Sequence, residues 1–233
     1  PTVRDCTISG NSAGLGGGIY NSASSTPKII NSAFTGNTAD SGGALYNISS
    51  KPAITNCTFS GNSATNTGGG MYNMAYPGPV VANSILWGDN PNEIYNSNST
   101  PEVTYSDVQG GYEGAGNLNS DPMFVNPVEE DFHITAGSPV IDAGTNSAPN
   151  SPSLDFEGEP RVQDGNGDGI AIVDMGIDEL PYTPHVPVII YVDQDAGGGN
   201  NGNSWTDAFT NLPQAVSKAL NGDQIWVAEG NYK

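Results

Sequence analysis

The chain has 233 residues, with 6 Lys and Arg against 25 Asp and Glu and a formal net charge of −19. Cations so sparse, with none between Lys51 and Arg161, exclude a nucleic-acid partner, because phosphate binding needs clustered basic side chains. No apolar run approaches the roughly eighteen residues of a membrane span, and no leader is visible, so the chain is read as a mature product or a fragment.

The first ninety residues are organised by a repeat. Copies begin at Cys6 (CTISGNSAGLGGGIYN), Ser32 (SAFTGNTADSGGALYN) and Cys57 (CTFSGNSATNTGGGMYN), with a worn copy at Ser84 (SILWGD). Asn11, Asn37, Asn62 and Asp89 share one place, and Tyr20, Tyr46 and Tyr72 another, which sets a period of 25 to 27 residues. A fixed period of this length specifies a solenoid, in which one coil cannot bury its apolar face alone. Only 36% of the residues are hydrophobic, but disordered chains do not hold Ile, Phe and Tyr at matched offsets.

The copies align into columns. Val3, Ile29, Ile54 and Val81 form one apolar column, and Ile8, Phe34, Phe59 and Leu86 another. Asp5, Asn31, Asn56 and Asn83 form a polar column at a strand edge, where Asn tolerates left-handed dihedrals. Short β-branched and aromatic runs broken by Gly-Asn and Gly-Gly predict strands and turns. A helical reading fails on the glycines, each of which costs about 1 kcal/mol in a helix interior. An antiparallel sandwich does not require identical columns at a fixed spacing. Cys6 and Cys57 hold the same column two coils apart, roughly 9–10 Å. That is too far for a disulfide, so both are expected as buried thiols.

FTGN at 34–37 and FSGN at 59–62 match an FxxN signature, and GGAL at 42–45 matches GGA[ILV]. Through them residues 1–145 resemble the chlamydial polymorphic outer-membrane proteins and related bacterial right-handed parallel β-helix surface proteins. The fold expected is all-β, a right-handed parallel β-helix (solenoid) with one short amphipathic capping helix near the C-terminus. The resemblance implies a secreted or surface-displayed protein, often an adhesin or passenger domain, and names no ligand.

The coils are expected to span 1–146. EVTYSDVQG at 102–110 reads as a fifth, shorter coil with Val103 and Val108 in the apolar columns, and 117–127 and 131–146 continue the strand-turn rhythm. Residues 147–185 read as an acidic loop with a calcium site and a linker, the stretch 147–163 running over the solenoid. Within it Asp164, Asn166 and Asp168 alternate ahead of Gly169, the pattern of an oxygen-rich calcium loop, with Ile170 offering its carbonyl. The twelfth position should be Glu and is Met175, so Asp174 is taken as the substitute. A solvated acidic turn without metal is the plainer alternative.

Residues 186–233 predict a strand (188–192), a Gly/Asn loop, a helix and a second strand (223–228). Asn211 and Gln214 form a capping-box pattern. Leu212, Ala215, Val216, Ala219 and Leu220 make one apolar stripe, and Gly222 ends the helix. The segment resembles the lid that opens bacterial β-helix domains, yet here it follows the coils. The lid either covers the first coil of a neighbouring copy or of the next tandem repeat, through Leu212, Val216, Leu220 and Trp226, or folds back on its own solenoid. A contact between unlike surfaces that does not close generates a filament.

An enzyme is not expected. A polysaccharide lyase needs a basic residue and calcium, and the candidates are Arg4, Lys28, Lys51 and Arg161. A hydrolase needs paired carboxylates, for which Asp107 and Asp121 are nearest. His133 alternates with Phe132 and Ile134 and reads as a surface position, and His185 lies in a Pro-rich linker. The Tyr20, Tyr46 and Tyr72 column either packs the coils or holds sugar rings. The reading is therefore an extracellular or cell-surface structural protein, a head-to-tail homopolymer with calcium as cofactor. The alternative is a monomeric adhesin or passenger that binds carbohydrate or a host surface.

Overall fold

The computed structural model describes residues 1–181, 186–219, 223–230 and 232. The chain divides into two compact units, Pro1–Tyr182 and Thr183–Lys233.

In the first unit the coils are built from β1 (Thr2–Arg4), β2 (Thr7–Ser9), β3 (Ser12–Leu15) and β4 (Ile19–Asn21), then β5 (Lys28–Ile30), β6 (Ala33–Thr35), β7 (Thr38–Ser41) and β8 (Leu45–Ile48). The third coil comprises β9 (Ala53–Thr55), β10 (Thr58–Ser60), β11 (Ser63–Thr67) and β12 (Met71–Met74). The fourth comprises β13 (Val80–Ala82), β14 (Ile85–Leu86) and β15 (Ile94–Ser97), and the fifth β16 (Glu102–Thr104) and β17 (Asp107–Val108). Equivalent strands pair in parallel into sheets β1-β5-β9-β13-β16, β2-β6-β10-β14-β17, β3-β7-β11 and β4-β8-β12-β15. This is a parallel β-helix, and its register reproduces the sequence columns. Val3, Ile29, Ile54, Val81 and Val103 face one another in turn, as do Ile8, Phe34, Phe59, Leu86 and Val108.

The interior is these columns, with Phe34 and Phe59 stacked at 4.7 Å between ring centroids. The corners explain the asparagines. Asp5, Asn31, Asn56 and Asn83 all have positive φ, from 46° to 52°, a region that Asn enters more easily than other non-Gly residues. Two amide ladders climb the stack. Asn11, Asn37 and Asn62 each donate to the next residue above, ending on Asp89 at 2.8 Å. Asn21, Asn47 and Asn73 do the same up to Asn96, which donates to the Tyr112 hydroxyl at 2.9 Å. Glycine is obligatory at the inner turn, where a Cβ on Gly43 would collide with the Gly69 carbonyl oxygen.

Parallel stacking stops at Leu118, which bridges to Asp107. Residues 112–118 fold over the fifth coil, and Tyr112 packs on the core at that end. The strand rhythm expected beyond it continues, but β18 (Phe124–Asn126) and β19 (Asp131–Ile134) pair antiparallel. Pro127 opens a single 3₁₀ turn and Glu130 closes it in the left-handed region, so the chain reverses instead of beginning another coil.

Residues 145–181 then return across the coils as a strap. Asn83 donates to the Thr145 carbonyl, Thr55 and Asn56 bond to Pro149 and Ser151, and Asn31 donates to the Leu154 carbonyl at 2.8 Å. The strap thus descends the asparagine corner from the fourth coil to the second. It is locked by Arg161, which is fully buried and donates to Asn31, Gly176, Asp178 and Glu179. Together with β19 it covers Ala33, Thr58 and Ile85 on the outer face of β6, β10 and β14.

The two cysteines differ from the sequence expectation in one member. Cys57 is buried, but Cys6 in the first coil is exposed, because no coil packs below it.

In the second unit β20 (Ile189–Val192) pairs in parallel with β21 (Gln224–Val227) across helix α1 (Leu212–Lys218). Asn211 caps the helix, accepting from the Gln214 amide at 3.0 Å. Ala215 is the helix residue fully buried against Ile190, Val192 and Phe209. The helix ends at Lys218, and the expected stop at Gly222 lies outside the described residues.

Candidate functional site

The structure gathers most of the expected calcium loop into one turn. Asp164 accepts from the Gly167 and Gly169 amides at 2.6 and 2.9 Å, Asn166 from Asp168 at 2.9 Å, and Asp168 from Ile170 at 2.8 Å. Asp142 anchors the turn by accepting from Gly165 and Asn166. Asp174 shares no hydrogen bond with the turn itself and reaches it through Asp142. It is buried, and its two oxygens accept from the Asp142 and Leu180 amides at 2.6 and 2.9 Å. Burial pushes its carboxyl up to about 6. The physical reason is its neighbour: Met175 packs with Ile85, Ile134 and Val140, so the chain from Val173 onward is drawn inside.

Of the expected assembly residues, Leu212 packs partly on the core of the second unit, whereas Val216 is 58% and Trp226 45% exposed. Leu220 lies outside the described residues.

Of the groups weighed for catalysis, Asp107 and Asp121 lie close enough to interact, whereas the two arginines are paired with other carboxylates. Asp107 is buried in the fifth coil, accepts from the Ser120 amide at 3.1 Å, and is pushed up to about 6 by burial and secondarily by the charge of Asp121. Arg4 pairs with Asp5 at 3.1 Å, and Arg161 with Glu179 at 2.8 Å. Lys28 stands opposite Thr2 in the first sheet.

A cluster that sequence reasoning did not assemble lies on β19. Alternation turns Phe132 and Ile134 inward and Asp131 and His133 outward. His133 Nδ1 is 2.6 Å from Asp131 Oδ1, and its Nε2 is 3.8 Å from Glu157 Oε1. Asp178 is buried and accepts from the Ile134 amide at 3.1 Å. One ligand atom each of His133, Glu157 and Asp178 lies within 4.8 Å of the others. Glu157 is pushed up by burial and then by Asp178 and Asp155, and Asp178 by burial and then by Asp155. The Asp-x-His spacing on an alternating strand was the visible signal. Its partners stand far along the chain and share no period with it.

A family model described as a right-handed β-helix region matches residues 1–118. The chain belongs to the right-handed β-helix family. No curated protein and no solved structure matches it. The match ends where parallel stacking ends, so the strap and the second unit lie outside the shared part. Right-handed β-helix proteins include polysaccharide-cleaving enzymes and proteins without catalytic activity, and membership does not choose between them. Among the described residues no helix is long and apolar enough to cross a membrane.

Proposed function

We propose that this right-handed β-helix is an extracellular structural protein, a subunit or tandem repeat of a surface filament built by head-to-tail stacking. The observation that carries it is the difference between the two ends of the coil stack. Tyr112 packs on the core at the fifth coil. At the first coil Leu15 is 43% and Tyr20 48% exposed, and β1 to β4 are edge strands. Exposed edges recruit another chain unless they are covered. Val216 and Trp226 supply an exposed apolar surface on a strand–helix–strand segment that resembles a β-helix lid. The FxxN and GGAL repeats, similar to those of chlamydial polymorphic outer-membrane proteins, support placement at a cell surface.

Calcium belongs to the same reading. Asp164, Asn166, Asp168 and the Ile170 carbonyl fit a hard cation in one turn, and the buried Asp174 does not join them. Its role would be to stiffen the strap.

Electron microscopy of the purified chain, with calcium and then with a chelator, is the direct test. Thin fibres with a one-subunit repeat are expected, and loosening in chelator would make calcium part of the assembly. Monomers in both conditions would overturn the filament. They would favour the adhesin reading, in which the exposed Tyr20 and Tyr95 at the ends of the tyrosine stack offer sugar-binding faces while the buried Tyr46 packs the coils.

A further inference from the structure

The His133 cluster serves no part of the stacking function, and its chemistry differs from that of the calcium turn. A carboxylate only accepts, so the short contact with Asp131 places the imidazole proton on Nδ1. The other ring nitrogen, Nε2, faces the Glu157 carboxylate at 3.8 Å. A carboxylate holding the outer nitrogen of an imidazole is the usual support of a metal-bound histidine, fixing its tautomer and ring orientation. Asp178 is likewise held, by the Ile134 amide. The loop bearing Glu157 is wrapped around Asp155, which accepts from the Glu157, Gly158 and Glu159 amides and from Glu179. The three ligands therefore converge from separate segments beside a cavity of about 270 Å³ lined by Phe132, Phe156 and Ile177.

Charge points the same way. Glu129, Glu130, Asp131, Glu157 and Asp178 line that cavity with His133 as the one basic group among its lining residues. Arg161 nearby is committed to Glu179. We propose that His133, Glu157 and Asp178 bind a first-row divalent transition metal of the zinc class, with Asp131 as the positioning residue for His133. One imidazole and two carboxylates suit such an ion better than calcium, which takes oxygen ligands alone. Tetrahedral zinc sets its ligand atoms about 3.3 Å apart, so the present spacing closes by small movements of the partly exposed His133 and Glu157 side chains. Three protein ligands leave a position open toward the cavity for water or an anionic group.

The test is titration of the full, metal-stripped chain with Zn²⁺ by calorimetry, and with Co²⁺ by visible absorption. One equivalent of Zn²⁺ and a cobalt spectrum characteristic of a nitrogen–oxygen site are expected. His133→Ala and Glu157→Gln should abolish both, and Asp131→Asn should weaken binding about 10- to 100-fold. Asp164→Asn in the calcium turn should leave zinc unaffected, and equimolar Ca²⁺ should not displace it. Circular dichroism confirms folding of each variant. Failure of the wild-type chain to bind more tightly than His133→Ala, or loss of zinc binding in Asp164→Asn alone, would overturn the site.

Discussion

At the scale of single residues, the columns show what stacking asks of a side chain. Asn62 has its own amide oxygen engaged by Asn37 and donates upward to Asp89. Asp89 ends the ladder, because a carboxylate accepts from Asn62 and has nothing to pass on. Its partner is Glu93, whose Oε1 accepts from the Asp89 amide at 3.0 Å. The remaining oxygens, Asp89 Oδ2 and Glu93 Oε2, are buried without a donor from elsewhere. Burial and the adjacent Asp89 charge hold the Glu93 carboxyl protonated well above its ordinary value of 4.5. The folded state therefore retains a proton that the unfolded state releases, and stability falls as pH rises above 4.5 through the folded value. Glu93→Gln keeps the acceptor for Asp89 and removes the titration. Thermal melts should show its advantage over the native chain growing from pH 5 to pH 8. A difference that does not change with pH would refute a protonated Glu93.

At the scale of elements, the strap is joined to the coils by polar contacts at one corner and by apolar packing of Met175 and Ile177 on the outer face. The left-handed backbone at Asn31, Asn56 and Asn83 turns their side chains to meet Leu154, Ser151 and Thr145. Arg161 is the keystone, bonded to Asn31 of the second coil and to Gly176, Asp178 and Glu179 of the strap's return. Removing one partner of a buried pair leaves an uncompensated charge, at about 3–5 kcal/mol, whereas replacing both by apolar groups is often neutral or better. Arg161→Met alone should therefore shift the urea midpoint strongly downward. The double variant Arg161→Met/Glu179→Leu should recover only the part due to the unpaired Glu179, because Asn31, Gly176 and Asp178 still lack their donor. Equal losses in single and double variants would mean that the ion pair is not what holds the strap. The same frame supports Glu157 and Asp178, so the single variant should also weaken zinc binding.

At the scale of the whole molecule, each coil of the solenoid is stabilised by its neighbours, so an unpaired terminal coil is the weak point. The apolar columns run out into solvent at the first coil, where Leu15 and Tyr20 are exposed and Val3, Ile8 and Ile19 only half-buried. Stacking another body there would bury them, but the chain carries a formal charge of −19, and copies repel one another. Salt screens such repulsion beyond roughly 8 Å at physiological strength. Sedimentation velocity should show assembly increasing from low to physiological salt. Leu15→Asp with Tyr20→Asp should block it, at a modest cost in melting temperature, because both side chains are partly exposed and Tyr20 loses its stack on Tyr46. Assembly unchanged by these substitutions would place the joint elsewhere.

The sequence by itself determined the β-helix, its columns, its first five coils and the capped helix of the second unit. Parallel in-register stacking sets like above like, so one coil's pattern predicts the next. The acidic turn at 164–170 was legible for the same local reason, since Asp164, Asn166 and Asp168 are near neighbours. Only the tertiary structure decided where the strap runs, why Asp174 is drawn inside with Met175, that Cys6 is exposed, and that His133 meets Glu157 and Asp178. Those contacts join segments with no shared period, and they depend on which outer face of the coils remained to be covered. Periodicity specifies how a coil stacks on its own kind, whereas the aperiodic return of the chain is set by packing that no repeat encodes.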